Sequence, residues 1–302
     1  VPTLSTLPDA TLAEGHVLAP YGGGWHARLA LDIALRDGRS VAARLAHAGP
    51  LRVQKLLWPE GPRLAHVILL HPPSGLAAGD SLVFDLALGP QAELLLTTPG
   101  AGRWYRADAP ATQTVTVTVA EGAHLEWLPQ ETILHDGVSG DQAMRVDIAG
   151  SASAVGMEVL VLGRRASGER LTQARFHGRL SLWRAGRLLY DEASRIDGAQ
   201  IGAAALGARH VSGLLWAVSP EPFPEGLADA IEADLDATLA APAGTADAPA
   251  IGGASRVEPH LLLVRVVGSS PQTVRGALVA AWARLRPLLR QREAVPPRIW
   301  MT

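Results

Sequence analysis

The sequence predicts a mainly β fold, layered or β-helix-like stacked strands with two helices in the C-terminal part. Three observations predict it. From residue 25 to about residue 218, short runs of β-forming residues with period-two alternation are separated by clusters of Gly, Pro, Asp and Glu. Two of these units share an order of turn, Ala, Leu and Pro. Ala92, Leu94 and Pro99 recur as Ala123, Leu125 and Pro129, about thirty residues later. Helical periodicity appears only beyond residue 226.

In order, residues 1–24 read as a flexible tail ending in Tyr21-Gly22-Gly23-Gly24, and residues 25–302 as a single β-rich domain. Ala27, Leu29, Leu31, Ile33 and Leu35 alternate with polar or small neighbours, and Asp37-Gly38 supplies the positive φ for a hairpin into Val41 and Leu45. A Gly49-Pro50 break starts the next strand, and Trp58-Pro59-Glu60-Gly61 turns it. Ala65 to Leu70 is a largely apolar run, short enough to be a strand buried on both faces. Strands follow over 81–88, 93–98 and 112–119, then a run ending at Pro129. A weaker echo leads from Gly150 to Gly163. Stacked β-coils explain this spacing, and chance similarity among hairpins is the competing explanation. Residues 178–191 form a hairpin around Arg184-Ala185-Gly186-Arg187, and Val211 to Val218 is a buried strand. Leu227, Ile231, Leu235 and Leu239 mark a helix over about 226–240, and Leu261 to Val267 is a strand. Ser269-Ser270-Pro271 opens a second helix over about 271–290, striped by Val274, Leu278, Trp282 and Leu285. Pro287 is expected to end or kink it, and Pro296 to Thr302 to be an extended tail.

At 48% hydrophobic and 19% charged, the 302 residues suffice for a sizeable core. The net charge of −2 comes from interspersed charges, which argues against a nucleic-acid partner. No apolar run reaches the roughly 20 residues of a membrane span, and the first residues lack a secretory pattern, so a cytoplasmic location is expected. Without cysteine, thiol nucleophiles and thiolate metal sites are excluded. Lys55, the only lysine, is the sole candidate for lysine chemistry.

The stretch from His71 to Gly137 concentrates the polar candidates. Glu126 or Glu131 with Asp136 would suit a β-helical carbohydrate-active enzyme, since glycosidases work with paired carboxylates. Against that, Glu126 occupies an outward position where a solvated carboxylate is ordinary, and aromatics are only 5% of the chain. Neither a Gly-x-Ser-x-Gly elbow nor a phosphate-binding Gly-x-x-x-x-Gly-Lys loop is present. His71, Asp80, Glu131, His135 and Asp136 fall at strand ends or turns and offer N and O ligands for a weak, transient divalent-metal site. The competing reading makes His71 a turn residue and Asp80 the cap of the Gly79 turn.

Several motifs occur in an order that resembles the UreD (UreH) urease accessory protein family. They are Gly49-Pro50-Leu51-Arg52-Val53-Gln54-Lys55, Trp58-Pro59-Glu60-Gly61, His71-Pro72-Pro73-Ser74-Gly75, Gly79-Asp80, Leu96 to Ala101, Leu125 to Ile133, Leu162-Gly163-Arg164 and Pro297-Arg298-Ile299-Trp300. Ser74 and Ala78 stand where the family usually has glycine, and residues 199–254 carry little of the pattern. The resemblance implies a non-catalytic scaffold that joins UreF and the GTPase UreG, in a two-fold complex, and docks on apo-urease for nickel insertion. UreE would be the indirect nickel donor. It implies no tightly bound cofactor, only transient Ni²⁺ on an internal route. Asp80, Glu131, Asp136 and His71 would be path residues and Thr98 a polar lining group, with carboxylates holding Ni²⁺ loosely enough for release.

Overall fold

The computed structural model describes residues 23–198, 206–207, 209–239 and 248–301. Most of the expected N-terminal tail lies outside them. Gly24, read from sequence as part of a flexible lead-in, is instead pressed against Gly79, where an added Cβ would come within 2.0 Å of the Gly79 carbonyl carbon. Only glycine permits that approach.

Strands β1 (His26–Arg36) and β2 (Arg39–Ala48) form the first hairpin, with Asp37 and Gly38 both at positive φ as the turn requires. After β3 (Arg52–Leu57) the chain winds into coils, each placing one strand in each of three parallel ladders. The first coil is β4 (Leu64–Leu70), β5 (Gly75–Leu76) and β6 (Ser81–Leu88). The second is β7 (Glu93–Thr97), β8 (Gly102–Trp104) and β9 (Ala111–Val119), and the third β10 (His124–Trp127), β11 (Thr132–Leu134) and β12 (Ser139–Ile148). A last turn contributes β13 (Ser153–Leu162) and β14 (Arg175–Arg184). Leu64, Glu93, His124 and Ser153 stand in register across the first ladder. The spacing seen in the sequence is therefore the length of one coil, and the weak echo near Gly150 is its final repeat.

The hairpin strand β15 (Arg187–Asp197) completes a seven-stranded sheet with the third ladder, β1 and β2. Strands β16 (Val211–Val218), β17 (Ile251–Glu258) and β18 (Leu261–Gly268) extend the first ladder antiparallel into an 11-stranded sheet that includes the short second ladder. Strand β17 was not expected from sequence, because its Gly-Gly-Ala-Ser stretch has weak β-propensity. Helices α1 (Leu227–Leu239) and α2 (Pro271–Arg290) cover the outer face of the large sheet.

Two cores result. One lies between the sheets and contains Leu94, Leu96, Leu125 and Leu29, all fully buried; the other lies between the large sheet and the helices. Each such leucine contributes about 1.5–3 kcal/mol of burial. Burial on both faces explains why β4 is apolar except at His66, which pairs with Glu60. Aromatic edges cross the inner core, Phe84 meeting Trp127 with ring centroids 6.5 Å apart.

Helix α2 begins where Ser270 Oγ accepts from the Thr273 N–H at 3.2 Å. The helix spans Pro271–Arg290, as expected, and of the two effects expected of Pro287, ending or kinking it, the first does not occur. The helix runs on to Arg290, anchored on both sides of the proline by Arg286 and Arg290. Nor is the segment after Pro296 extended: Arg298–Met301 is a 3₁₀ turn that seats Trp300 against the large sheet. Among the described residues, no helix is long and apolar enough to cross a membrane.

Candidate functional site

Between the two sheets lies a cavity of about 380 Å³. His71, Thr98 and Glu131 line it where the first ladder turns toward the second, and Gln142, Glu158 and Arg265 line it elsewhere. Burial lowers the pKa of His71, with the Asp80 carboxylate acting the other way, so His71 is a neutral imidazole. The Thr98 hydroxyl accepts from Gln130 N–H at 2.9 Å, and Glu131 lies 4.0 Å from the Arg275 guanidinium.

Glu158 was not singled out from sequence. It projects from β13 toward the third ladder, where Gln142 donates to it, and among the described residues no arginine pairs with it. Burial raises its pKa despite that hydrogen bond. Its partial accessible surface faces the cavity, so contact with that space and deep placement coexist. The neighbouring Glu192, by contrast, is bound by Arg265 at 2.7 Å.

Two expected path residues stand elsewhere. Asp80 accepts from Trp25 N–H at 2.7 Å and Ala77 N–H at 2.6 Å, which fastens the start of β1 to the coil. Asp136 accepts from Thr172 N–H at 2.6 Å and Gln173 N–H at 2.8 Å, with Arg106 at 3.5 Å. The Thr172 backbone bond is the largest cause of its lowered pKa. His135 packs edge-on to Tyr105, and burial lowers its pKa. Among the described residues, no three His, Asp or Glu side chains converge as a metal-binding group.

On the other face of the large sheet, under α2, lies a charged strip. Glu126 is 1% exposed rather than solvated. Its carboxylate accepts from Trp282 Nε1 at 2.9 Å and Arg286 Nε at 3.0 Å. Arg286 also reaches Glu60 at 2.7 and 2.9 Å, and Glu60 meets His66 at 2.9 Å. Burial works to raise the Glu60 pKa, but bonds from His66 and Arg286 outweigh it and hold it at about 2. Burial lowers the His124 pKa; for Glu126 burial works upward, but the contact with His124 and then the Arg286 guanidinium outweigh it, so the Glu126 pKa is lowered.

These contacts overturn the carbohydrate-enzyme alternative. Glu126 is covered by a helix and fixed by an arginine and a tryptophan, Asp136 holds backbone N–H groups, and neither can serve an acid–base cycle on a sugar. The strip was legible in one respect only: Glu93 and His124 occupy the same coil position, and Arg286 and Arg290 lie one helical turn apart.

A sequence model of the family described as UreD urease accessory protein matches residues 26–301. The chain is similar to urease accessory protein UreD of Delftia acidovorans, 40% identical over 296 residues covering 92% of this chain and 95% of that one. It is also similar to UreD of Pseudomonas aeruginosa, 40% identical with the same coverages, and of Pseudomonas fluorescens, 38% identical across 98% of this chain and 99% of that one. A match of that extent, on a mainly β body with two C-terminal helices, places the chain in the UreD urease accessory protein family, the non-catalytic scaffolds of urease nickel-metallocentre assembly.

Proposed function

We propose that this chain is the scaffold that, with UreF and the GTPase UreG, docks on apo-urease in the cytoplasm, where nickel delivered indirectly from UreE enters the active site. In this reading nickel is cargo, and the chain binds it only in transit. The supporting observation is the cavity between the sheets, whose wall carries His71, Thr98, Glu131 and Glu158. A neutral imidazole, a hydroxyl and carboxylates are ligands from which Ni²⁺ can leave, and the chain has no thiolate to trap it. Asp80 and Asp136 serve as the clamps that hold the surrounding turns.

Urease activation at limiting nickel tests this reading in cells carrying the Glu131→Gln, Glu158→Gln double variant. The expected outcome is at least a tenfold loss of activation with unchanged co-purification of UreF, UreG and apo-urease. Full activation by the variant would remove these residues from the path. Failure of the wild-type chain to co-purify with UreF or apo-urease would sink the scaffold role itself.

A further inference from the structure

Where α2 ends, three guanidinium groups converge on one carboxylate. Glu93, the first residue of β7, is 1% exposed. It is contacted by Arg63 at 3.2 Å, by Arg292 at 3.4 Å and by Arg290 in a close hydrogen-bonded pair. The side chains of Arg63, Arg290 and Arg292 are 43%, 23% and 28% exposed, so solvent reaches the rim of the cluster.

One carboxylate cannot satisfy three arginines. Glu93 Oε1 already accepts from Arg63 and Arg290 and Oε2 faces Arg292 at 3.4 Å, whereas each guanidinium carries five donors. Arg290 Nε and Arg292 Nη1 are buried and meet no acceptor among the described residues. The neighbouring contacts do not relieve the excess. Glu60 and Glu126 are both taken by Arg286, and burial keeps His124 neutral. Across the strip the arginines 63, 286, 290 and 292 face the glutamates 60, 93 and 126, which leaves one positive charge in excess.

Planar guanidinium forks favour carboxylate-shaped acceptors, and a buried N–H without an acceptor costs on the order of 1–3 kcal/mol. We propose that Arg63, Arg290 and Arg292 form a site for one further carboxylate, with Glu93 as its built-in first ligand. A single monoanion there would cancel the excess charge and supply acceptors for Arg290 Nε and Arg292 Nη1. The carboxylate arrives either as a free small anion or as an Asp or Glu side chain of a protein that docks on the end of α2. The second source rests on the scaffold role proposed above, and the first does not.

The test uses the full chain with acetate as the probe. For wild type, Arg292→Gln and the surface control Arg28→Gln, the thermal midpoint is followed in sodium acetate and in sodium chloride at equal ionic strength. In parallel, each variant is co-expressed with UreF, UreG and apo-urease and the recovery of the complex is measured. Hydrogen exchange of α2 verifies that the variants are folded.

A free-anion site gives a saturable midpoint rise in acetate over chloride that Arg292→Gln abolishes and Arg28→Gln keeps. A protein-borne carboxylate gives no acetate-specific rise but at least a tenfold drop in recovered complex for Arg292→Gln alone. The proposal is overturned if a folded Arg292→Gln chain matches wild type in both assays. If wild type itself recovers no complex, the scaffold reading fails, and the acetate arm still decides the anion site.

Discussion

The two faces of the large sheet bury carboxylates by opposite means. On the outer face, Glu60 and Glu126 share Arg286 and stay ionised, and Trp282 adds an indole N–H to Glu126. On the inner face, Glu158 meets Gln142 and, among the described residues, no paired cation, and burial raises its pKa. The first arrangement spends the carboxylate charge on fastening a helix. The second leaves an inner carboxylate free to meet a cation that arrives from elsewhere, since a neutral amide cannot neutralise it. Position relative to Arg286, rather than burial alone, therefore separates the structural glutamates 60 and 126 from Glu158.

The sharpest way to break that contrast is Arg286→Leu. It strands two buried carboxylates, and removing one partner of such a cluster costs about 3–5 kcal/mol. Urea unfolding should show that loss together with weakened protection of α2 in hydrogen exchange; a loss below 1 kcal/mol would mean that the strip does not hold the helix. Glu60 supplies the next effect through pH. Its folded value, about 2, lies below the unfolded value of 4.5, so its stabilisation is complete above pH 4.5 and is lost as pH falls toward 2. The difference amounts to roughly 3 kcal/mol. Glu60→Gln should therefore be less stable than wild type at pH 6, and the gap should close in acid. A pH-independent gap would contradict the assignment.

Asp80→Ala comes third. It leaves the N–H groups of Trp25 and Ala77 without their acceptor, at about 1–3 kcal/mol. Because neither group lies on the helix side, protection should drop at β1 and leave α2 unchanged. The same measurement on Arg286→Leu should give the reverse pattern.

The fold was largely legible because its periodicities are local. Period two fixed most strands, the recurrence of Ala92 and Leu94 as Ala123 and Leu125 exposed the coil, and the Ser270-Pro271 cap located α2. The site was less legible because its decisive contacts span the chain. Arg286 and Glu126 are 160 residues apart, and alternation along β10 says only that Glu126 points outward, not that a helix covers it. The segment around Trp300 misled for the same reason: anchoring by the distant Thr97 outweighed its local preference for an extended chain. Of the path residues expected from the resemblance, His71, Thr98 and Glu131 share the cavity wall, whereas Asp80 and Asp136 hold turns. All five fall at strand ends or turns in the sequence, and that setting does not show which of them face the cavity.

The smallest effect is expected from Glu158→Gln, and its sign is opposite to that of Glu60. A buried carboxyl without a cation limits its own cost by taking up a proton, so the stability change stays small. Because the folded pKa is raised, the folded chain binds the proton more tightly than the unfolded one does. The contribution of Glu158 is therefore complete below the ordinary carboxylate range and declines as pH rises through the raised value. Glutamine keeps the shape and a partner for Gln142 but cannot ionise, so the variant should gain on wild type in urea midpoint as pH rises above the ordinary carboxylate range. If Ni²⁺ engages Glu158, added Ni²⁺ should stabilise wild type more than the variant, since it favours the ionised form that burial disfavours. An identical pH profile for the two proteins would mean that Glu158 is already compensated in the fold, and the distinction between the two faces of the sheet would fall with it.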